Sequence, residues 1–177
     1  MSGPVAYQGF MVTKMALLLI CVLLADGVLP WHGTALAQQP DAAEVTNREY
    51  HEFILATGKA APDHWHGQTF PQEAGEEPVT MVSWYDARDY CAWRGKRLPS
   101  QDEWQKACHA QNFLKRGDVW EWTQSEAQGW KVLCGPKGTC DCSHRYRPAW
   151  KNAVKGFRCT KDQPLALWPV HGSETEA

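Results

Sequence analysis

The sequence predicts an α+β domain in which irregular structure outweighs regular elements, and three observations carry that reading. Three helix-capping signatures fall between residues 46 and 103, and beyond Cys108 dense Gly, Pro and Trp replace any helical period. The chain also holds 10 tryptophans, rigid aromatics that fill space where the backbone is not regular.

The helices come first, because capping chemistry marks their starts. A side-chain oxygen ahead of a helix satisfies N–H groups that the first turn leaves unpaired. Thr46-x-x-Glu49 is such a capping box, followed by Tyr50, Phe53 and Ile54 on one face and by Gly58 as a stop. Ser83 with Asp86 opens a second helix, with Trp84, Ala87, Cys91 and Arg94 on one stripe before Gly95. Pro99-Ser100-x-x-Glu103 opens a third, which places Trp104, Ala107, Cys108 and Gln111 on its buried side. Val119–Thr123, Trp130–Leu133 and Lys155–Thr160 are short strand candidates between turn residues.

Ahead of this domain, Met11 to Ala37 has the pattern of an export signal. Lys14 supplies the positive start, Ala16–Leu24 the apolar run, and Ala35-Leu36-Ala37 the small-x-small cleavage pattern before Gln38. Residues 1–10 read as an upstream start. The apolar run is short for a bilayer span and Asp26 interrupts it, so no stable membrane anchor is expected once the signal is removed. The expected organisation is therefore signal 1–37, linker 38–43, domain 44–163 and a flexible tail 164–177, exported to the periplasm or beyond. Removing the signal takes Lys14 and Asp26 with it, and basic and acidic residues fall from 18 and 20 to 17 and 19. That balance offers no electrostatic basis for nucleic acid. The expected partner is an exported protein or a small molecule.

Six cysteines remain, Cys91, Cys108, Cys134, Cys140, Cys142 and Cys159. An even number in an oxidising compartment allows three bridges, in any of about 15 pairings.

The stretch PVTMVSWYDARDYCAWRGKRLPSQDEWQKAC, Pro78 to Cys108, closely resembles the sulfatase-modifying-factor family, which includes the formylglycine-generating enzyme. GDVWEWT at Gly117–Thr123 is similar to that family's Gly-Asn-Val-Trp-Glu-Trp signature, and RYRPAW, GFRC and EVTNREYHEFILATG extend the match in order. The resemblance implies a C-type-lectin-like α+β fold. Family enzymes place several tens of residues between the helix carrying Glu103-Trp104 and the Trp-rich strand, whereas only Gln105–Arg116 intervene here. The domain is thus shortened in the middle, where the family builds substrate surface and a calcium site.

The resemblance also assigns site residues. It implies a bridge between Cys91 and Cys159, worth about 4 kcal/mol by the chain-entropy argument. Formylglycine-generating enzymes use two cysteines, four residues apart and shortly before Arg-Tyr-Arg, to bind copper. Here Gly138 and Ser143 fall at those positions ahead of Arg145-Tyr146-Arg147, and Gly135-Pro136-Lys137 replaces a Gly-Gly-Ser.

Two readings of the remaining sulfurs stay open. In one, Cys140 or Cys142 bridges Cys108 and Cys134 bridges the other. In the alternative, Cys140 and Cys142 are catalytic thiolates on copper, which favours soft sulfur. A non-haem iron site would draw instead on His64, His66, His109 and His144. Asp118 and Glu121 could supply hard oxygen ligands to calcium. Arg145, Arg147 and Arg158 most simply order loops through ion pairs, and their planar forks could alternatively hold a substrate carboxylate; Arg145, Arg147 and Trp122 are the substrate-binding candidates. The function expected on balance is that of a stapled, divergent binding module, with a copper- or iron-dependent oxidoreductase as the alternative.

Overall fold

The computed structural model describes residues 39–136 and 138–161. The expected export signal and C-terminal tail lie outside the described residues.

All three capping boxes form. Thr46 caps α1 (Asn47–Thr57), accepting from the Glu49 amide at 3.2 Å while the Glu49 carboxylate accepts from the Thr46 amide at 2.9 Å. Gly58 ends this helix in the left-handed region, φ 69°. Ser83 and Asp86 close the same reciprocal pair ahead of α2 (Trp84–Trp93), as do Ser100 and Glu103 ahead of α3 (Gln101–Cys108). Glu103 also takes a two-pronged ion pair from Arg97, at 2.7 Å to each oxygen. That guanidinium, with the Ser100 amide, outweighs burial and pulls the Glu103 pKa down to about 2. The expected stripes hold for Tyr50, Phe53, Ile54, Ala87, Cys91, Trp104 and Ala107, which are buried. They fail for Arg94 and Gln111, which are exposed because each lies past the last turn of its helix.

The strands run longer and then shorter than expected. β1 is Lys96–Arg97, β2 Trp120–Ala127, β3 Trp130–Cys134, β4 His144–Tyr146, β5 Lys155–Phe157 and β6 Thr160–Lys161. β2 and β3 form a hairpin through Gln128 (φ 57°) and Gly129 (φ 79°), the paired left-handed conformations that suit the twist of a two-residue turn. The sheet order is β4-β3-β2-β5, antiparallel except for the β2–β5 pair. The single segment expected over Lys155–Thr160 divides, because β6 leaves that sheet to pair with β1.

Strand alternation sends side chains to two cores. One face of the sheet, with Trp122, Leu133 and Phe157, packs on α1 and α2 through Tyr50, Phe53 and Tyr90. The other face, with Val132 and Cys134, packs on Trp104 of α3.

On the α3 side lies a buried charge cluster. The Arg158 guanidinium donates through Nε and Nη2 to the two oxygens of Glu121, at 2.6 and 2.9 Å, and both residues are fully buried. Lys115 Nζ reaches Glu121 at 2.6 Å, Trp104 Nε1 donates to it at 2.9 Å, and Glu44 lies 3.6 Å from Arg158 and 3.5 Å from Lys115. Two cations face two anions, so the cluster is balanced. Burial alone would raise the Glu121 pKa, but Arg158 and Lys115 hold it below the usual carboxylate range.

The remaining Arg158 protons go to the carbonyls of Asp41, Ala42 and Leu114, at 2.9–3.0 Å. Asp41 further receives an ion pair from Lys96 at 2.7 Å and donates its amide to the Cys159 carbonyl. Residues 40–43, expected as a linker, are therefore fastened to the domain.

Removing one partner from such a pair leaves uncompensated buried charge, at a cost of about 3–5 kcal/mol. Arg158→Met is expected to lower the thermal midpoint by roughly 10–20 °C, read by circular dichroism. A change of a degree or two would mean that the pair is not holding these segments.

Candidate functional site

The end of β3 and the loop after it carry three of the six sulfurs, and two features of the backbone shape the loop. Gly135 sits at φ 122°, and a Cβ there would lie 2.7 Å from the Val119 carbonyl oxygen, so only glycine fits against the start of β2. Asp141 then closes a tight turn, accepting from the Ser143 amide at 2.9 Å and the Ser143 hydroxyl at 2.6 Å. The Ser143 hydroxyl bond is the main reason its pKa is lowered.

Between these points the sulfurs diverge. Cys140 is bonded to Cys108 at the end of α3, and Cys142 to Cys134 at the end of β3, while Cys91 on α2 is bonded to Cys159. Every cysteine among the described residues is thus in a disulfide. The copper pair read from Cys140 and Cys142 does not match this arrangement, because copper of that kind needs thiolates and neither sulfur is one. The catalytic reading of the same two residues is corrected with it.

The other candidate residues separate as well. Glu121 gives both carboxylate oxygens to the buried cluster, whereas Asp118 is exposed, in the segment before β2. Both Glu121 oxygens are taken by the Arg158 and Lys115 cations, so this residue's share of the calcium reading is met within the protein. Trp122 is fully buried and donates its indole N–H to the Val82 carbonyl at 3.0 Å, so it is core and not a substrate contact. Arg145 is held by its own loop, donating to the carbonyls of Cys142 at 2.6 Å and His144 at 2.9 Å. The histidines are spread out. His64 and His66 lie in the loop after α1, His109 caps α3, and His144 stacks on Trp120 at 3.7 Å. Among the described residues, no three His, Cys, Asp or Glu side chains come together as a ligand set.

Arg147 has a different setting. It is exposed, and its guanidinium lies 5.4 Å from the Trp130 ring and 5.5 Å from the Trp150 ring. Both tryptophans are partly open to solvent, Trp150 at 50%. Tyr146 meets Trp150 edge-on at 5.5 Å, and Lys131 lies 4.2 Å over Trp84. These contacts form one aromatic and cationic surface across β3, β4 and the start of α2. Aromatic rings beside a planar, well-oriented cation suit a ligand that joins a flat or apolar group to a carboxylate.

Lys155, at the inner edge of this surface, was not among the residues singled out from sequence. It is 2% exposed, and its Nζ has no hydrogen-bond partner. The amine sits 3.1 Å from the centre of the Tyr146 ring and 5.9 Å from that of Trp122. Burial pushes its pKa down to about 8. One signal was legible. On a strand, Lys155 shares a face with Phe157, so the burial of one implies the burial of the other.

Residues 39–116 match the family model described as the sulfatase-modifying factor enzyme 1-like domain. The capped helices and the Trp-rich strand order of this structure accompany that match. This stretch of the chain carries a sulfatase-modifying-factor-type domain. Its mixed helices and sheets are α+β, as the sequence predicts.

Three relatives show the range of the family. The inactive C-alpha-formylglycine-generating enzyme 2 of Bos taurus is 57% identical over 51 residues, 29% of this chain and 16% of that protein. The formylglycine-generating enzyme of Bos taurus is 28% identical over 196 residues, 83% of this chain and 48% of that protein. The hercynine oxygenase of Mycolicibacterium smegmatis is 36% identical over 90 residues, 36% of this chain and 21% of that protein. The chain spans less than half the length of these relatives.

The depressed Lys155 pKa has a stability consequence with a definite sign. Between pH 8 and 10.5 the unfolded chain holds this proton more tightly than the folded one, so stability contributed by the group rises with pH. Lys155→Met is expected to stabilise the domain at pH 7 by on the order of 2–3 kcal/mol, with the advantage gone above pH 10.5. Urea midpoints of both proteins at pH 7 and near pH 11 check this, and an equal difference at the two pH values would refute it.

Proposed function

We propose that this chain is an exported, disulfide-stapled member of the sulfatase-modifying-factor family that acts as a binding module, without standard cysteine-to-formylglycine activity. The observation that carries the reading is the pairing of all six cysteines among the described residues. The thiolates that copper-dependent chemistry draws on are spent in crosslinks, and crosslinks of this kind belong to an oxidising compartment. That a relative sharing 57% identity over 51 residues is named an inactive enzyme supports the same direction. The surface around Trp130, Arg147 and Trp150 is the binding face. Its ligand is an exported protein segment or small molecule that presents a carboxylate beside a flat or apolar group.

The names of two relatives, a formylglycine-generating enzyme and a hercynine oxygenase, favour a second reading as a copper- or iron-dependent oxidoreductase. That reading requires ligands other than the bridged sulfurs.

The two are separated by incubating the purified, oxidised protein with copper and then with a cysteine-containing peptide under oxygen. The binding-module reading predicts no stoichiometric copper retained after desalting and no peptide-dependent oxygen uptake. One equivalent of copper together with sustained uptake would overturn it.

A further inference from the structure

Four charged side chains are fully or almost fully buried among the described residues: Glu44, Glu121, Arg158 and Lys155. The first three are neutralised together with Lys115 in the cluster beside α3. Lys155 stands apart on the opposite face of the sheet, with neither an ion pair nor a hydrogen bond to its Nζ among the described residues. Such a group is costly to keep, and its surroundings give it chemical character. The Tyr146 ring covers the amine at 3.1 Å and Trp122 lies behind it at 5.9 Å. Around it on the same sheet face, the titratable groups are Tyr146 and His144 of β4, Lys131 of β3 and Glu126 of β2, and the one carboxylate among them, Glu126, is taken by Lys131 at 2.8 Å.

The cover is slight. Tyr146 is half-buried and belongs to a three-residue strand at the edge of the sheet, and neighbouring Val154 is 48% exposed. A short edge strand opens locally at low cost, so moving one ring admits a small molecule.

We propose that Lys155 is a reactive amine that forms an imine with small apolar aldehydes. The Nζ lone pair adds to the carbonyl carbon and a proton passes from nitrogen to oxygen, giving a carbinolamine. Loss of one water then leaves the C=N bond, with no change of oxidation state. Tyr146 and Trp122 favour an apolar aldehyde over a charged one. The depressed proton affinity of the amine supports the assignment, since a pKa of about 8 leaves on the order of 200 times more neutral amine at pH 7 than an ordinary lysine has. The inference is independent of the binding-module reading.

The test uses the full, oxidised chain with propionaldehyde at pH 7. Cyanoborohydride is added as hydride donor to trap each imine as a secondary amine, and peptide mapping compares Lys155 with the exposed Lys106, Lys151 and Lys161. Lys155 is expected to label at least about tenfold faster than these at pH 7, with the ratio shrinking at pH 10 as ordinary lysines lose their protons. The same labelling of Tyr146→Ala, in which the cover is removed, separates a shielded amine from an unreactive one. Preferential labelling of Lys155 in either protein upholds the proposal, and Lys155 labelling no faster than the exposed lysines in both overturns it.

Discussion

The constraint on which the functional half of the structure depends is the Cys140-Asp141-Cys142 turn. Two sulfurs separated by a single residue take different partners here. Cys140 ties the loop to the end of α3, and Cys142 ties it to the end of β3. The loop is thus pinned to two elements at once. By the chain-entropy argument, closures of 68, 32 and 8 residues contribute roughly 4, 4 and 2.5 kcal/mol at most. That is comparable to the net stability of a whole small domain.

The buried cluster supplies what the crosslinks do not. Glu121 and Arg158 are 37 residues apart in sequence, yet through them β2, α3, the 113–116 segment and residues 41–44 share one set of charges. The shortened middle of the chain is part of this set. Lys115 and the Leu114 carbonyl come from the brief connection between α3 and β2, and the Phe113 ring packs 3.7 Å from the Arg158 guanidinium. A segment too short to build a surface of its own instead closes the cluster. Lys155 is the counterexample within the same domain: a buried charge with aromatic neighbours alone.

What the sequence revealed and what it concealed divides by range. The capping boxes at Thr46, Ser83 and Ser100 were legible because each joins residues three apart, and local chemistry decides it. The hairpin strands were legible through their turn residues. Arg94 and Gln111 were misplaced because a helical period says nothing about where the last turn stops. The roles of Glu121 and Trp122 were hidden for another reason. A Trp-Glu-Trp run reads equally as a site and as a strand buried on both faces, and only the partners distinguish them. Glu121 meets Trp104, Lys115 and Arg158, while Trp122 meets the Val82 carbonyl. Residues 40–43 read as a linker from composition, but they lend their backbone carbonyls to an arginine more than 110 residues away, which no local pattern encodes.

The partition of the sulfurs is the claim from which the rest follows, and a disulfide map of the purified protein tests it most directly. Alkylation under denaturing, non-reducing conditions, followed by digestion and mass spectrometry, is expected to find no free thiol among Cys91, Cys108, Cys134, Cys140, Cys142 and Cys159. Linked peptides joining 91 to 159, 108 to 140 and 134 to 142 should account for them. Alkylated Cys140 and Cys142 in the same peptide, with the Cys91–Cys159 bridge intact, would contradict the account and return this loop to thiolate chemistry.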